Sequence, residues 1–287
     1  MRNKEAVAAG HIDPHPAVVR CALTTALLLS SLFQIPSAGS LLHCQPAYVS
    51  VEVNDGGTIT GKVRLKGIPP TCDQLMCTQD NRACGKTKRS PRLSVGNGLG
   101  IADAIVYLES ISKGKKFQEE HPCLLVQHNC EYSPHTLIVP AGSPLQIVNN
   151  DPILHNVHTY EASKDPKTVF NIAQPIKGVK STTKPLMKPG LINVSCDAGH
   201  PWMSASIMVA AHPYYTLTDK DGNFSLANVP PGSYTLRMWH EGVAIVKKEL
   251  EHDKVKKYEF EQPYEESMQV TVNPKTTSTA DFELTLR

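Results

Sequence analysis

The chain carries almost no excess of charge of either sign. Its 29 Lys and Arg stand against 27 Asp and Glu, a formal net charge of +2, so no strong global field draws nucleic acid or anionic lipid. Beyond the first forty residues no apolar run is long enough to cross a bilayer, which takes about 20 residues. No stretch before Val246 shows a convincing 3.6-residue periodicity with caps, and the composition excludes a coiled coil. Aromatic residues are few, at 6%, and 22 Pro with 18 Gly make turns frequent. That composition excludes a collagen-like rod and a mainly disordered tail. With 287 residues and 40% hydrophobic content, the chain has material for two modest cores.

The N-terminus reads as a targeting segment. Arg2, Lys4 and Arg20 precede an apolar stretch from Cys21 to Phe33, and Ser37-Ala38-Gly39 offers small residues for cleavage. This is the pattern of a secretory signal over residues 1–39, and it places the protein in the periplasm or outside the cell. Cys21 leaves with that segment. Cys44, Cys72, Cys77, Cys84, Cys123, Cys130 and Cys196 remain. Seven is odd, and in an oxidising compartment six of them can form three disulfides. Cys72, Cys77 and Cys84 lie in a polar, irregular segment without a nearby His, so disulfides are preferred there to a metal knuckle.

The rest reads as short strands broken by turns, an all-β architecture. Residues 48–53 and 58–65 alternate, and residues 67–100 read as loop. Asn149-Asn150-Asp151-Pro152 is a strong turn signal, and residues 161–185 read mostly as loop. A second unit starts near His212, with Asp219-Lys220-Asp221-Gly222 as a hairpin turn and Pro230-Pro231-Gly232 as a rigid one. Val246–Lys257 is ambiguous between a polar helix and a charged hairpin. The expected division is a first domain over 45–210 and a second over 211–287, with residues 48–66 open to either.

One cluster carries chemistry. Cys196 opens Cys196-Asp197-Ala198-Gly199-His200-Pro201-Trp202-Met203, so a thiolate, an imidazole and a thioether share one eight-residue loop. Upstream, His155-Asn156-Val157-His158 follows another turn. Two imidazoles, one thiolate and a weak axial thioether suit copper that cycles between oxidation states, whereas zinc gains little from Met. His155, Cys196, His200 and Met203 are the expected ligands to one mononuclear copper ion. Asn156 is expected to tie the two segments by backbone hydrogen bonds. Trp202 and Pro201 are expected to form an apolar rim near an exposed His200 ring, where a redox partner protein docks. His158 and His135 are the spare imidazoles.

The stretches at 138–158 and 188–209 resemble the cupredoxins, the plastocyanin-like blue-copper proteins, and most of all the amicyanin type. The resemblance implies a Greek-key sandwich, copper bound by His155, Cys196, His200 and Met203, and single-electron shuttling in the periplasm. Here three residues separate the Cys from the His, where amicyanin-like loops have two, and Gly199 can absorb the extra one as a bulge. The stretch at 216–242 is similar to carboxypeptidase regulatory-like or transthyretin-like domains, small prealbumin-type sandwiches generally without catalysis, and residues 58–65 resemble the opening strand of such a domain. The whole arrangement is similar to bacterial exported proteins described as methylamine-utilisation-like. Alternatives are a copper carrier or sensor and a non-catalytic extracellular binding module. An enzyme stands behind these, because oxidase or nitrite-reductase chemistry needs an open metal position and usually more copper centres.

Overall fold

The computed structural model describes residues 48–118 and 122–287. The expected signal segment, Cys21 and Cys44 lie outside the described residues. The first stretch holds β1 (Val49–Ser50), β2 (Gly57–Lys66), β3 (Gln74–Met76), the one-turn helix α1 (Asn81–Cys84), β4 (Thr87–Arg89), β5 (Ile105–Glu109) and β6 (Lys113–Gly114). The middle holds β7 (Leu124–His128), β8 (Glu131–Ser133), β9 (Thr136–Pro140), β10 (Gln146–Asn149), β11 (His155–Glu161), β12 (Thr168–Gln174), β13 (Lys180–Thr182), β14 (Gly190–Ser195) and β15 (Ser204–Ala210). The last holds β16 (Tyr215–Leu217), β17 (Asn223–Val229), β18 (Gly232–His240), β19 (Ile245–Glu251), β20 (Lys254–Phe260), β21 (Tyr264–Val272), β22 (Thr277–Thr279) and β23 (Phe282–Thr285). Among the described residues no helix is long and apolar enough to cross a membrane.

The strands build two all-β sandwiches, the fold class expected from sequence. In the first, a sheet in the order β13-β10-β7-β8 faces one in the order β12-β11-β14-β15-β9. Leu125 and Ile147 from one sheet meet Val139, Val157, Val194 and Ile207 from the other, the inward residues of alternating strands. In the second, β17-β2-β22 with β23 beside β2 faces β16-β5-β18-β21. Ile59, Val63 and Leu65 of β2 pack there with Val106, Leu108, Leu236, Met238 and Phe282.

Strand pairing runs across the expected division near residue 210. Both β2 and β5 fall inside the 45–210 span, yet they pair with strands from the last third of the chain. The open question over residues 48–66 is thereby answered for β2, which sits in the middle of the second sandwich. The first sandwich, β7 to β15, leaves the second after β5 and returns to it at β16. The Asp219–Gly222 turn is present, with the Gly222 amide donating to the Asp219 carbonyl at 2.9 Å and Gly222 at φ +80. It joins β16 and β17, which lie in opposite sheets, so it is a corner between layers and not a hairpin.

Three further differences have local causes. Residues 161–185 contain two edge strands, β12, whose exposed residues mix Thr168 and Asn171 with Val169 and Ala173, and β13, which is Lys180-Ser181-Thr182. Residues 245–260 form the hairpin β19–β20, which settles the helix-or-hairpin ambiguity. Within 67–100, β3 pairs with β4 around α1, and Leu75, Cys77 and Cys84 join Tyr258 of β20 in the core of the first sandwich. A disulfide links Cys84 to Cys130. Cys72, Cys77, Cys123 and Cys196 are free, so one disulfide forms among the described residues where three were expected.

The sandwiches meet through Ile105, Met208 and Trp239 and through a buried ionic cluster. Arg92 Nη1 lies 2.8 Å from Glu241 Oε2 and donates to the Gly242 carbonyl at 3.0 Å, while its guanidinium stacks 3.7 Å over the Phe260 ring. His135 Nε2 contacts the other oxygen of Glu241. Burial alone would raise the Glu241 pKa, but His135 and Arg92 outweigh it and hold the carboxyl below its ordinary range.

Candidate metal centre

The centre is built where β10 turns into β11 and where β14 runs into the loop before β15. Asn149 makes the first turn. Its Oδ1 accepts from the Asp151 amide at 2.9 Å, and its Nδ2 donates to the Ile153 and Gln174 carbonyls, each at 2.9 Å. This fixes where β11 starts and places His155, its first residue, fully inside the protein. The second loop is held by Asn156, as expected from sequence. Its Oδ1 accepts from the Asp197 amide at 2.5 Å and the Ala198 amide at 3.2 Å, and its own amide donates to Cys196 Sγ at 3.5 Å. Gly199 takes φ +87, a left-handed backbone that favours glycine, and so accommodates the three residues between Cys196 and His200.

These devices bring three donor atoms together. His155 Nδ1 and His200 Nδ1 are 3.0 Å apart. Cys196 Sγ is 3.5 Å from His200 Nδ1 and 4.0 Å from His155 Nδ1. All three residues are buried. The point equidistant from corners separated by 3.0, 3.5 and 4.0 Å lies about 2.1 Å from each. First-row metals bind imidazole nitrogen at about 2.0–2.1 Å and thiolate sulfur at about 2.3 Å, so the triangle fits such an ion.

The outer nitrogens explain why the inner ones point this way. His155 Nε2 lies 2.9 Å from Asp151 Oδ2, and His200 Nε2 lies 3.0 Å from Asp80 Oδ2. A carboxylate accepts, so each Nε2 carries the proton, and both Nδ1 lone pairs face one another across 3.0 Å. Two lone pairs at that distance repel unless a cation lies between them. Carboxylates on the outer nitrogens are a recurring way to fix the tautomer of metal-binding histidines.

Asp151 is itself held. It accepts from the amides of Asn129 and Cys130, both at 2.7 Å. Asn129 and Cys130 are the turn between β7 and β8, and both take positive φ, which aims their N–H groups at one carboxylate. Burial pushes the Asp151 pKa up, but those amides and the His155 ring outweigh it, and the net direction is down. Burial pushes the His155 pKa down despite Asp151. Burial also pushes the Cys196 thiol up, against the amides of Asn156 and Ala198.

The structure brings His155, Cys196 and His200 together. Met203 is buried in the same core and its amide donates to the His200 carbonyl at 2.9 Å. The two spare imidazoles are used elsewhere. His135 belongs to the Glu241 cluster, and His158 bonds Asp197, Thr168 and Tyr160. Two expectations need correction. His200 is not exposed but 0% accessible, and Trp202 is only 2% accessible. The Trp202 indole donates to the Cys130 carbonyl at 3.1 Å, so it forms no docking rim. Asp80 and Gln79, from a segment read only as loop, cover that side. Asp151 was read only as part of a turn; its spacing of four residues from His155 was the one available sign.

A family model described as the carboxypeptidase regulatory-like domain matches residues 193–285, which include the end of β14 and all of β15 of the first sandwich but neither β2 nor β5. No curated protein matches the chain. Among solved structures, a purple cupredoxin from Nitrosopumilus maritimus is 20% identical, with 31% of this chain and 99% of that one covered and a TM-score of 0.27. The reduced state of an amicyanin mutant is 17% identical, covering 37% and 98%, with a TM-score of 0.27. A copper-containing nitrite reductase from Thermus scotoductus is 21% identical, covering 35% and 25%, with a TM-score of 0.26. These overlaps are partial, and the donor geometry stands without them.

Proposed function

We propose that the protein is an exported mononuclear copper protein that carries single electrons, with His155, Cys196 and His200 as ligands and Met203 as a weak axial one. The observation that carries this reading is the buried triangle of two imidazole nitrogens and one sulfur, with both outer nitrogens held by carboxylates. Copper bound there would supply a one-electron couple. The chain's own part is to keep the three donors fixed. Asp151 and Asp80 hold the rings, the Asn156 amide steadies the sulfur, and burial excludes water that would otherwise compete for the ion. A site that need not rearrange suits electron transfer, for which a redox partner protein is required.

The test is titration of the mature chain with Cu(II), followed by visible absorption and electron spin resonance. One equivalent should produce a thiolate-to-copper charge-transfer band, and Cys196→Ser should remove it. Failure of the wild-type chain to bind copper, or a full band in the serine variant, refutes the assignment. Reversible voltammetry supports the carrier of electrons. Absent cycling with ready loss of copper to a chelator supports the reading in which the metal is cargo.

A further inference from the structure

Asp80 is an aspartate in a strained place whose side chain serves a distant partner. It precedes α1 at the cap position with φ 52 and ψ 32, and it makes no side-chain bond to its own helix. Left-handed backbone is uncommon outside glycine, although Asp and Asn tolerate it, and strain of this kind persists only where surroundings enforce it. Its carboxylate instead reaches His200 Nε2, 120 residues away. The adjacent Gln79 donates to the Ala198 carbonyl of the metal loop. A Cβ at Gly199 would run into the Gln79 side chain, so the two segments touch where the loop is glycine.

The Asp80 turn is anchored on two sides. At the end of α1, Cys84 is bonded to Cys130, and the Cys130 amide donates to the same Asp151 oxygen that holds His155. One disulfide therefore ties the segment that supplies Asp80 to the turn whose amides hold Asp151. On the other flank, the Met76 amide donates to the Tyr258 hydroxyl at 2.8 Å and Thr78 Oγ1 to the Val255 carbonyl at 3.4 Å, which seats the segment on the β19–β20 hairpin.

We infer that residues 74–89, stapled by Cys84–Cys130, form a closed cover over the His200 side of the centre, and that Asp80 is the positioning residue that holds the His200 ring. The inference rests on the metal-binding reading above and adds to it. The ion enters and leaves only when this cover lifts, so the cover sets the rate of metal exchange.

Three variants of the full mature chain test this. Asp80→Ala removes the acceptor, Asp80→Asn keeps an acceptor and tolerates the backbone, and Cys84→Ala/Cys130→Ala removes the staple. The first readout uses the metal-free chain: modification by diethylpyrocarbonate, mapped residue by residue, with the exposed His128 as internal reference. His200 should be protected in the wild type and modified in Asp80→Ala and in the double variant. The second is release of bound Cu(II) to a chelator. Loss of such an outer partner costs about 10–100-fold in metal affinity, so release should quicken by at least about tenfold in Asp80→Ala, with Asp80→Asn intermediate. The third is nitrogen NMR of the His200 ring in the metal-free chain, where the Nε2–H tautomer should dominate in the wild type and give way to a mixture in Asp80→Ala. Wild-type binding with unchanged release, protection and tautomer in every folded variant overturns the cover and leaves the metal reading intact. A wild-type chain that takes up no Cu(II) removes both.

Discussion

Replacing Asn156 with Ala tests whether one amide side chain joins the two halves of the site. The residue is 7% accessible. Alanine keeps the backbone amide that faces Cys196 but deletes Oδ1, which accepts from Asp197 and Ala198, and Nδ2, which donates to Asn171 Oδ1 at 2.7 Å. Each buried donor left without a partner costs about 1–3 kcal/mol. Asp197 is exposed and Ala198 half-buried, so water regains part of the loss and the lower end applies to each. The expected cost is about 2–3 kcal/mol in total. At about 2–4 °C per kcal/mol for domains of 150–250 residues, the melting temperature should fall by about 4–12 °C. Scanning calorimetry of the metal-free chain measures this, and Cu(II) titration of the same sample should show weaker uptake because the Cys196 loop is no longer tied to β11. A variant that melts within about 1 °C of the wild type, with copper uptake unchanged, would show that the two loops are held by something else.

Two other predictions concern the second sandwich and its junction with the first. Arg92→Met should cost about 3–5 kcal/mol in denaturant unfolding, because it leaves the Glu241 carboxylate buried without its guanidinium partner; adding Glu241→Gln should recover much of the loss, and no recovery would refute the pairing. His212 is packed against Tyr48, Tyr214 and Tyr215, and burial pushes its pKa from 6.5 down to about 4. Below about pH 6.5 the unfolded chain binds a proton that the folded chain refuses until about pH 4. The stability from a neutral His212 is therefore full above 6.5, falls between 6.5 and about 4, and is level below. The fall is up to about 3 kcal/mol. Urea unfolding across that range should show the slope, and His212→Gln should flatten it.

The proposed ligands were legible because each lies in a short stretch with its own chemistry. A Cys, a His and a Met in one loop, with a His opening a strand upstream, need only the sheet to bring them together. Asn156 could be read for the same reason, being next to His155. Asp80 could not, since nothing local in Thr78-Gln79-Asp80-Asn81 separates a carboxylate aimed at a distant ring from a solvated one. The same gap produced the exposed His200, because the residues that cover it come from outside the first sandwich. β13 was hidden because its three residues are all polar, and β12 because an edge strand need not alternate cleanly between apolar and polar residues. β2 and β5 could be recognised as strands, but which sandwich they join depends on partners far downstream, and continuity of the chain suggested the nearer one.

The central place of β2 sets a schedule for synthesis. Its neighbours β17, β22 and β23 begin at Asn223, Thr277 and Phe282, so one edge stays bare until β17 has been made and the other until β22 and β23 follow. At about 5–20 residues per second, that wait exceeds several seconds. During that interval β7 to β15 can emerge and pair among themselves. A stop codon placed late in the reading frame, even after β21, leaves an unpaired strand edge that invites another chain, while a piece limited to β7–β15 keeps all its strand partners.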